Sequence, residues 1–192
     1  MTRAVILLEE GWQDEEGIFS YHRMIEESWH VDVATPAVRK KYGEVVNELP
    51  KMVYGKFGVP LKVTVSTESL RVQDYDVVVI PGGFVSPDML RMRLEVLDFV
   101  NNMHQYGKLV AMQCHGVWVG ISANIMYGKR ASCYASLKAD LINAGGIYVA
   151  ESVVEDGNII TADHYKRNGP FMRAVIQNRV ENEYLESLKR AS

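Results

Sequence analysis

Short, mainly apolar runs that alternate with helical segments constrain the fold of this chain more than any other feature. The clearest run spans residues 76–80 and ends directly at Pro81-Gly82-Gly83, and a second, residues 108–112, leads into Gln113-Cys114-His115-Gly116. Uninterrupted apolar runs of this length are typical of strands buried on both faces of a parallel sheet. Strands that alternate with helices predict an α/β fold, with helices covering both faces of a mostly parallel sheet.

The remaining segments continue the alternation. Residues 3–8 predict a first strand, residues 14–28 a helix with carboxylates in its first turn, and residues 30–35 a second strand. Apolar residues at helical spacing predict one helix over residues 87–104. The other predicted elements are a helix ending at residue 123, a helix over 136–144, a strand over 147–150, a hairpin with its turn at Asp156-Gly157, and a closing helix over 170–188.

The stretch between the second and third long strands is polar and rich in glycine. We expect residues 39–66 to form an excursion at the edge of the sheet, in which residues 52–56 and 60–66 pair as a small hairpin. A chain of 192 residues, 47% of them hydrophobic, can bury a full core. The expected organisation is therefore one domain over residues 1–192.

Composition excludes several classes of partner. The formal net charge is −3 and the basic residues are scattered, which argues against a nucleic-acid partner. No apolar run approaches the roughly 20 residues of a membrane span, and the N-terminal run is too short for a signal peptide. We therefore expect a cytoplasmic protein with no membrane partner. The two cysteines are too few for a disulfide framework, and no metal site is expected because neither has a partner at ligand spacing except the adjacent His115.

Cys114 is the strongest candidate for chemistry. It lies between a predicted strand and a predicted helix, and the positive end of a helix dipole would favour its thiolate and lower its pKa. The same arrangement places the nucleophile of α/β-hydrolases on a sharp turn. The backbone N–H groups of Gly83 and His115 are candidates for an oxyanion hole, because a Gly-Gly turn can approach the cysteine closely. Cys133, in contrast, has the surroundings of an inert core cysteine.

Five motifs together resemble one known family, the ThiJ/PfpI superfamily, and most closely its PfpI branch of intracellular proteases (peptidase C56-like). The resemblance covers nearly the whole chain. The motifs are Val-Ile-Pro-Gly-Gly (79–83), Ala-Met-Gln-Cys-His-Gly (111–116), Gly-Lys-Arg-Ala-Ser-Cys-Tyr (128–134), Asp-Leu-Ile-Asn-Ala-Gly-Gly (140–146) and Val-Glu-Asp-Gly-Asn-Ile-Ile-Thr (154–161).

The resemblance implies a flavodoxin-like, class I glutamine amidotransferase-like sandwich that forms a homodimer or a higher homo-oligomer and uses no cofactor. It makes Cys114 the nucleophile and His115 its partner. It places a carboxyl group that hydrogen-bonds the cysteine at Glu16, although Glu15 and two other nearby acids compete for that role. A third triad member, carried over to Asp88, would orient His115 of a neighbouring subunit, and aspartate is shorter than the glutamate common there.

The chain departs from the family pattern around the expected substrate pocket. Val117 stands where proline is frequent, and Trp118 adds bulk beside the pocket. The loop over residues 162–169 also lacks the usual pattern, and its His164 follows a strand. Substrate-lining candidates are Gly82, Gly83, Trp118 and His164.

Two functions from different classes fit these residues. The first is a cysteine-dependent hydrolase or lyase acting on a small carbonyl or amide compound, with peptidase, glyoxalase-type and deglycase activities all left open. The second is a stress-response or redox-sensing protein in which Cys114 is reversibly oxidised. An amidotransferase domain has less support, because His164 lacks the paired glutamate. An isocyanide-hydratase-like protein also remains open.

Overall fold

A seven-stranded, mostly parallel sheet forms the centre of the computed structural model, which describes residues 1–41 and 44–191. Its strands are β1 (Arg3–Leu7), β2 (His30–Thr35), β7 (Val65–Ser66), β8 (Val77–Ile80), β9 (Leu109–Gln113), β12 (Val153–Asp156) and β13 (Ile159–Ala162). They lie side by side in the order β12-β13-β9-β8-β1-β2-β7. Only the edge strand β12 runs antiparallel to its neighbour.

The five central parallel strands follow the order of flavodoxin-like folds. Counted along the chain, β2, β1, β8, β9 and β13 are the second, first, third, fourth and fifth strands. Ligands of such sheets bind beyond the carboxyl ends of the strands, where the strand order reverses. The reversal here lies between β1 and β8, which pair directly. The predicted fold class is confirmed.

Alternate residues of the central strands pack into two hydrophobic cores, one on each face of the sheet. Val5 and Leu7 of β1 face the first core, whereas Ala4 and Ile6 face the second. This separation follows from the two-residue period of strand side chains. The first core is covered by α2 (Val85–Leu90), α3 (Leu94–Gln105), α4 (Val117–Ser122) and α5 (Lys138–Asn143); α1 (Asp14–Glu26) and α6 (Asn168–Ala191) cover the second.

The predicted excursion contains two hairpins. Its first strands, β3 (Val38–Lys41) and β4 (Glu44–Asn47), were not predicted, and residues 42–43 between them lie outside the described part of the chain. The second hairpin joins β5 (Met52–Tyr54) to β6 (Pro60–Lys62), as predicted but with shorter strands. The end of the predicted second arm separates from it and joins the main sheet as β7.

The prediction of one helix over residues 87–104 is wrong. The chain forms α2 and α3, and the break falls at Arg93, whose backbone is extended (φ −101°, ψ 111°). The Arg93 side chain donates to the carbonyl oxygen of Val38 and pairs with Glu9. These distant contacts accompany a break that the local periodicity does not reveal.

The region after α4 matches the sequence prediction only in part. The hairpin of β12 and β13 is confirmed, with Asp156 opposite Ile159 and Gly157 at a φ of +62°. The strand predicted over residues 147–150 is only β11 (Ile147–Tyr148). It pairs with β10 (Arg130–Ala131) outside the central sheet.

Candidate active site

Cys114 occupies a sharp turn at the carboxyl end of β9. It is one of three non-glycine residues with positive φ (+57°) in the described part of the chain, and it begins a short 3₁₀ turn, Cys114–Gly116, that continues into α4. Such a backbone conformation costs a non-glycine residue on the order of 1–3 kcal/mol, so surrounding contacts must enforce it. One such contact is the close packing of Gly116, where a Cβ atom would lie 2.2 Å from the carbonyl oxygen of Ile80.

Glu16 lies in the first turn of α1 and is fully buried beside Cys114. Its Oε2 accepts a hydrogen bond from the backbone N–H of Gly82, whereas Oε1 has no partner of regular hydrogen-bond geometry among the described residues. Burial raises the pKa of Glu16 to about 8, against lowering contributions from the Gly82 N–H, the Cys114 side chain and Lys56. The carboxyl group is therefore predominantly protonated at neutral pH.

The expected lowering of the Cys114 pKa is wrong in direction. Burial raises the pKa of the thiol, and the negative charge of an ionised Glu16 raises it further. The N–H groups of His115 and Gly83 act against this, because they hydrogen-bond the sulfur. Since the penalty from Glu16 exists only when that carboxyl is ionised, the two side chains titrate as a coupled pair.

His115 contacts the sulfur through its side chain. Its Nδ1 lies 3.3 Å from Cys114 Sγ. Burial lowers the pKa of His115, and the charge of Lys56 lowers it further, so the imidazole is neutral at neutral pH. The ring stacks on Tyr134 (centroids 4.6 Å apart) and meets the Trp118 ring edge-on at 5.1 Å.

Gly82 and Gly83 bring the loop after β8 against the cysteine. A Cβ atom on Gly82 would lie 2.7 Å from Cys114 Cβ and 2.8 Å from Glu16 Oε2. Gly83 has a φ of +83° and packs against the backbone of the loop after β1, where a Cβ would lie 2.6 Å from the Gln13 nitrogen. These two positions exclude any side chain, and this exclusion lets backbone N–H groups approach the sulfur and Glu16.

Of the other predicted site residues, Trp118 and His164 lie near Cys114 and His115, whereas Asp88 does not contact them. Trp118 contacts His115, and its Nε1 donates to Asp140 at 2.8 Å. His164 follows β13 and stacks on Tyr134 with ring centroids 5.9 Å apart, so Tyr134 contacts both His164 and His115. Asp88 is exposed on α2 and makes no hydrogen bond or ion pair within the described residues of this chain.

Two residues of the site, Tyr134 and Lys56, are not among the residues predicted from the sequence. The ring of Tyr134 stacks on the ring of His115. Lys56 is exposed on the β5–β6 hairpin, and its charge reaches both Glu16 and His115. Neither has a local signal, because each is brought to the site by a segment distant in sequence.

Neither a metal-binding cluster nor a membrane-spanning helix is found among the described residues. Among residues 1–41 and 44–191, no group of three or more histidine, cysteine or acidic side chains is arranged to hold a metal ion. None of the helices in these two ranges combines the length and apolar character that a membrane span requires.

The fold and site define a class of protein: a flavodoxin-like α/β protein with a cysteine on a strained strand-to-helix turn, backed by a buried carboxyl group. A model of the DJ-1/PfpI family matches residues 2–178. The chain belongs to the DJ-1/PfpI family.

Named relatives support this assignment. The deglycase PYRAB04690 of Pyrococcus abyssi is 34% identical over 160 residues, covering 83% of this chain and 89% of the relative. Deglycase PfpI of Pyrococcus furiosus is 30% identical over 153 residues, covering 80% and 84%. Both are matched over most of their length.

Solved structures give the same fold. A two-domain protein of Anabaena variabilis, containing DJ-1/ThiJ/PfpI-like and ferritin-like domains, superposes with a TM-score of 0.84 at 28% identity. The match covers 93% of this chain but only 48% of that protein, so this chain spans about half its length. DJ-1 of Schizosaccharomyces pombe superposes with a TM-score of 0.79 at 17% identity, covering 92% and 91%, and at that identity it supports the fold alone.

Proposed function

We propose that this protein is a cysteine-dependent hydrolase or lyase that acts on a small carbonyl or amide compound through Cys114, without a cofactor. The observation that carries the proposal is the strained backbone of Cys114 together with its two neighbours. His115 Nδ1 lies 3.3 Å from the sulfur on one side, and the protonated Glu16 is buried beside it. This set can both remove the thiol proton and hold the resulting charge.

The first step follows from these groups. The neutral His115 accepts the thiol proton at Nδ1 as Sγ attacks the carbonyl carbon. The S–C bond forms, and the π electrons of the carbonyl move to its oxygen. The N–H groups of Gly83 and His115, which favour negative charge on the sulfur in the free protein, then stabilise this oxyanion. Return of the proton from the imidazolium to the oxygen completes a neutral thiohemiacetal.

The named relatives favour the deglycase type among the possible reactions. The curated deglycases are 30–34% identical and are matched over 84–89% of their length. Deglycases and glyoxalase-type enzymes share thiol addition to a small carbonyl compound as their first step. Methylglyoxal and its adducts are therefore the first substrates to test, before amides and peptides.

The test compares two cysteine variants. Cys114→Ser should reduce turnover of methylglyoxal and its adducts at least a thousandfold, because the hydroxyl is a far weaker nucleophile here. Cys133→Ser is the matched control, since Cys133 is equally buried and should retain activity. Turnover by purified Cys114→Ser at the wild-type rate would overturn the proposal, and circular dichroism would establish that both variants fold.

A second candidate function, redox sensing by Cys114, is favoured by Glu16. A protonated, fully buried carboxyl next to the sulfur can donate a hydrogen bond to an oxidised sulfur oxygen. On this proposal, low doses of peroxide should oxidise Cys114 ahead of Cys133, as detected by intact and peptide mass spectrometry. If Cys114 is not modified under those conditions, the sensor function is excluded.

Oligomer formation is part of the proposal because Asp88 lacks a partner within the described residues. Asp88 lies on α2 beside exposed apolar side chains, among them Phe84, Met89 and Met92. We propose a homodimer or higher homo-oligomer in which Asp88 of one subunit orients His115 of another. Sedimentation velocity and the turnover of Asp88→Asn test this; a monomeric, fully active protein would contradict it.

The location of the protein inside the cell is also a proposal. Cys114 and Cys133 are both unpaired, as expected in a reducing compartment. We propose a cytoplasmic protein, which fractionation of cells can test directly.

A further inference from the structure

The tip of the β5–β6 hairpin is fixed against the loop that precedes Glu16. The two carboxylate oxygens of Asp14, a buried residue, accept hydrogen bonds from the backbone N–H groups of Phe57 (3.0 Å) and Val59 (2.9 Å). The N–H of Lys56 donates to the carbonyl oxygen of Trp12 at 2.9 Å. Lys56 is therefore held at the edge of the site by its backbone, although its side chain is exposed.

The ammonium group of Lys56 forms no ion pair with any carboxylate whose side chain is described, although the Asp14 carboxylate binds the N–H groups of the neighbouring residues Phe57 and Val59. The Nζ atom of Lys56 lies over the ring of Phe57, 4.7 Å from the centroid. The same ammonium group lowers the pKa of both Glu16 and His115. Trp12, which accepts the Lys56 N–H, also packs against Gly83, where a Cβ atom would lie 2.7 Å from the Trp12 carbonyl carbon. This packing places Lys56 beside the space that a substrate of Cys114 must enter.

Two arginines near the site are already engaged by other side chains. The Arg91 guanidinium lies 5.4 Å from the centre of the Trp118 ring and donates to Ser122 Oγ. Arg167 pairs with Asp163. With Glu16 protonated and His115 neutral, the reacting groups carry no negative charge at neutral pH that would satisfy Lys56. An exposed ammonium group that engages no carboxylate in an ion pair is available to bind the carboxylate of a ligand.

We propose that Lys56 selects a small carbonyl compound that carries a carboxylate group, as in an α-oxo acid. The ammonium group binds the carboxylate while Cys114 Sγ adds to the adjacent carbonyl carbon. As in the step above, the thiol proton passes through His115 to the carbonyl oxygen, so the adduct keeps only the carboxylate charge. The substrate class rests on the proposed function, but the selection for negative charge at Cys114 can be measured without turnover.

Two alkylating reagents that differ mainly in charge provide the test. Iodoacetate and iodoacetamide both alkylate a thiolate, with formation of an S–C bond and release of iodide. The rate of alkylation of Cys114 by iodoacetate is divided by the rate with iodoacetamide, and this ratio is divided by the same ratio for glutathione. The normalised ratio reports the preference of the site for a negatively charged reagent. Any change in the thiolate fraction affects both rates equally and cancels.

The variant Lys56→Gln should lower this normalised ratio by about threefold to tenfold at low ionic strength, as expected for loss of one nearby unit charge. Raising the salt to about 0.5 M should remove most of the wild-type preference. Lys56→Arg should retain the wild-type preference for iodoacetate. Lys62→Gln is the matched control, because Lys62 is exposed on the same hairpin and has no contact with the site. An unchanged ratio in Lys56→Gln would overturn the inference.

A turnover arm separates this result from the proposed function. Glyoxylate should inhibit methylglyoxal turnover by the wild-type protein competitively, and several-fold more weakly in Lys56→Gln. If neither protein turns over any carbonyl compound while the alkylation ratio still falls in Lys56→Gln, the proposed enzyme activity fails and the charge selection stands. If turnover occurs and glyoxylate inhibits both proteins equally, the carboxylate-binding role is refuted.

Discussion

Replacing Glu16 by glutamine should make the folded protein relatively more stable as the pH rises. The wild-type carboxyl is fully buried, and its pKa in the folded state is about 8 against an ordinary value of 4.5. The folded state therefore binds this proton more tightly than the unfolded state. Its contribution to stability is complete below about pH 4.5 and is lost as the pH rises through about 8.

The size of the effect follows from the same two values. A difference between 4.5 and about 8, at about 1.36 kcal/mol per pH unit, corresponds to about 5 kcal/mol across the whole range. Glutamine cannot ionise, and its side-chain oxygen can still accept the Gly82 N–H. The free energy of unfolding of Glu16→Gln minus that of the wild type should therefore increase by up to about 1.4 kcal/mol per pH unit between pH 5 and 8.

Urea denaturation followed by circular dichroism, repeated from pH 5 to 9, measures this difference. Subtracting the wild-type curve cancels the opposing effect of the histidines, since those residues are present in both proteins. Glu15→Gln is the matched control, because Glu15 is the exposed neighbour on the same helical turn and its replacement should give a flat difference. A flat difference for Glu16→Gln would refute the assignment of a protonated Glu16 at neutral pH.

Two more substitutions test the geometry around the site. Gly82→Ala should destabilise the protein by about 1–3 kcal/mol and slow alkylation of Cys114, because the new methyl group would lie 2.7 Å from Cys114 Cβ; wild-type stability in urea would contradict this close packing. Asp14→Ala should cost about 3 kcal/mol by removing the hydrogen bonds from the N–H groups of Phe57 and Val59. Limited proteolysis should then cleave the hairpin tip, and continued protection would show that these bonds do not hold it.

The sequence predicts the sheet well because the relevant information is local. The buried strands appear as uninterrupted apolar runs, and the turn at Asp156-Gly157 is specified by two adjacent residues. The break at Arg93 is different, because the arginine contacts Val38 and Glu9, both more than fifty residues away in the chain. Helical periodicity carries no information about such contacts, so it predicted one helix in place of two.

The site follows the same division between local and distant information. The turn at Cys114 was predicted from the residues on either side of it, and the structure places Glu16 and His115 next to that cysteine. The predicted interface role of Asp88 depends on a second subunit and stays a prediction. Tyr134 and Lys56 reach the site on segments that the sequence does not connect to it.

The error in the thiol pKa shows why position at a helix start is insufficient to predict activation. A short turn supplies two N–H groups to the sulfur, but burial acts in the opposite direction and is the larger effect. The pair formed by Cys114 and Glu16 therefore holds both protons at neutral pH, and removing the first requires a base or an external positive charge. His115 can act as the base, because burial and the charge of Lys56 lower its pKa and keep it neutral. Lys56 favours any singly negative form of the cluster, whether the charge lies on the carboxylate, on the sulfur or on a bound substrate. On the proposed mechanism, Cys114 is a thiol at rest and becomes a thiolate only when His115 takes its proton, so we expect it to react with a bound substrate faster than with a reagent that has no binding site.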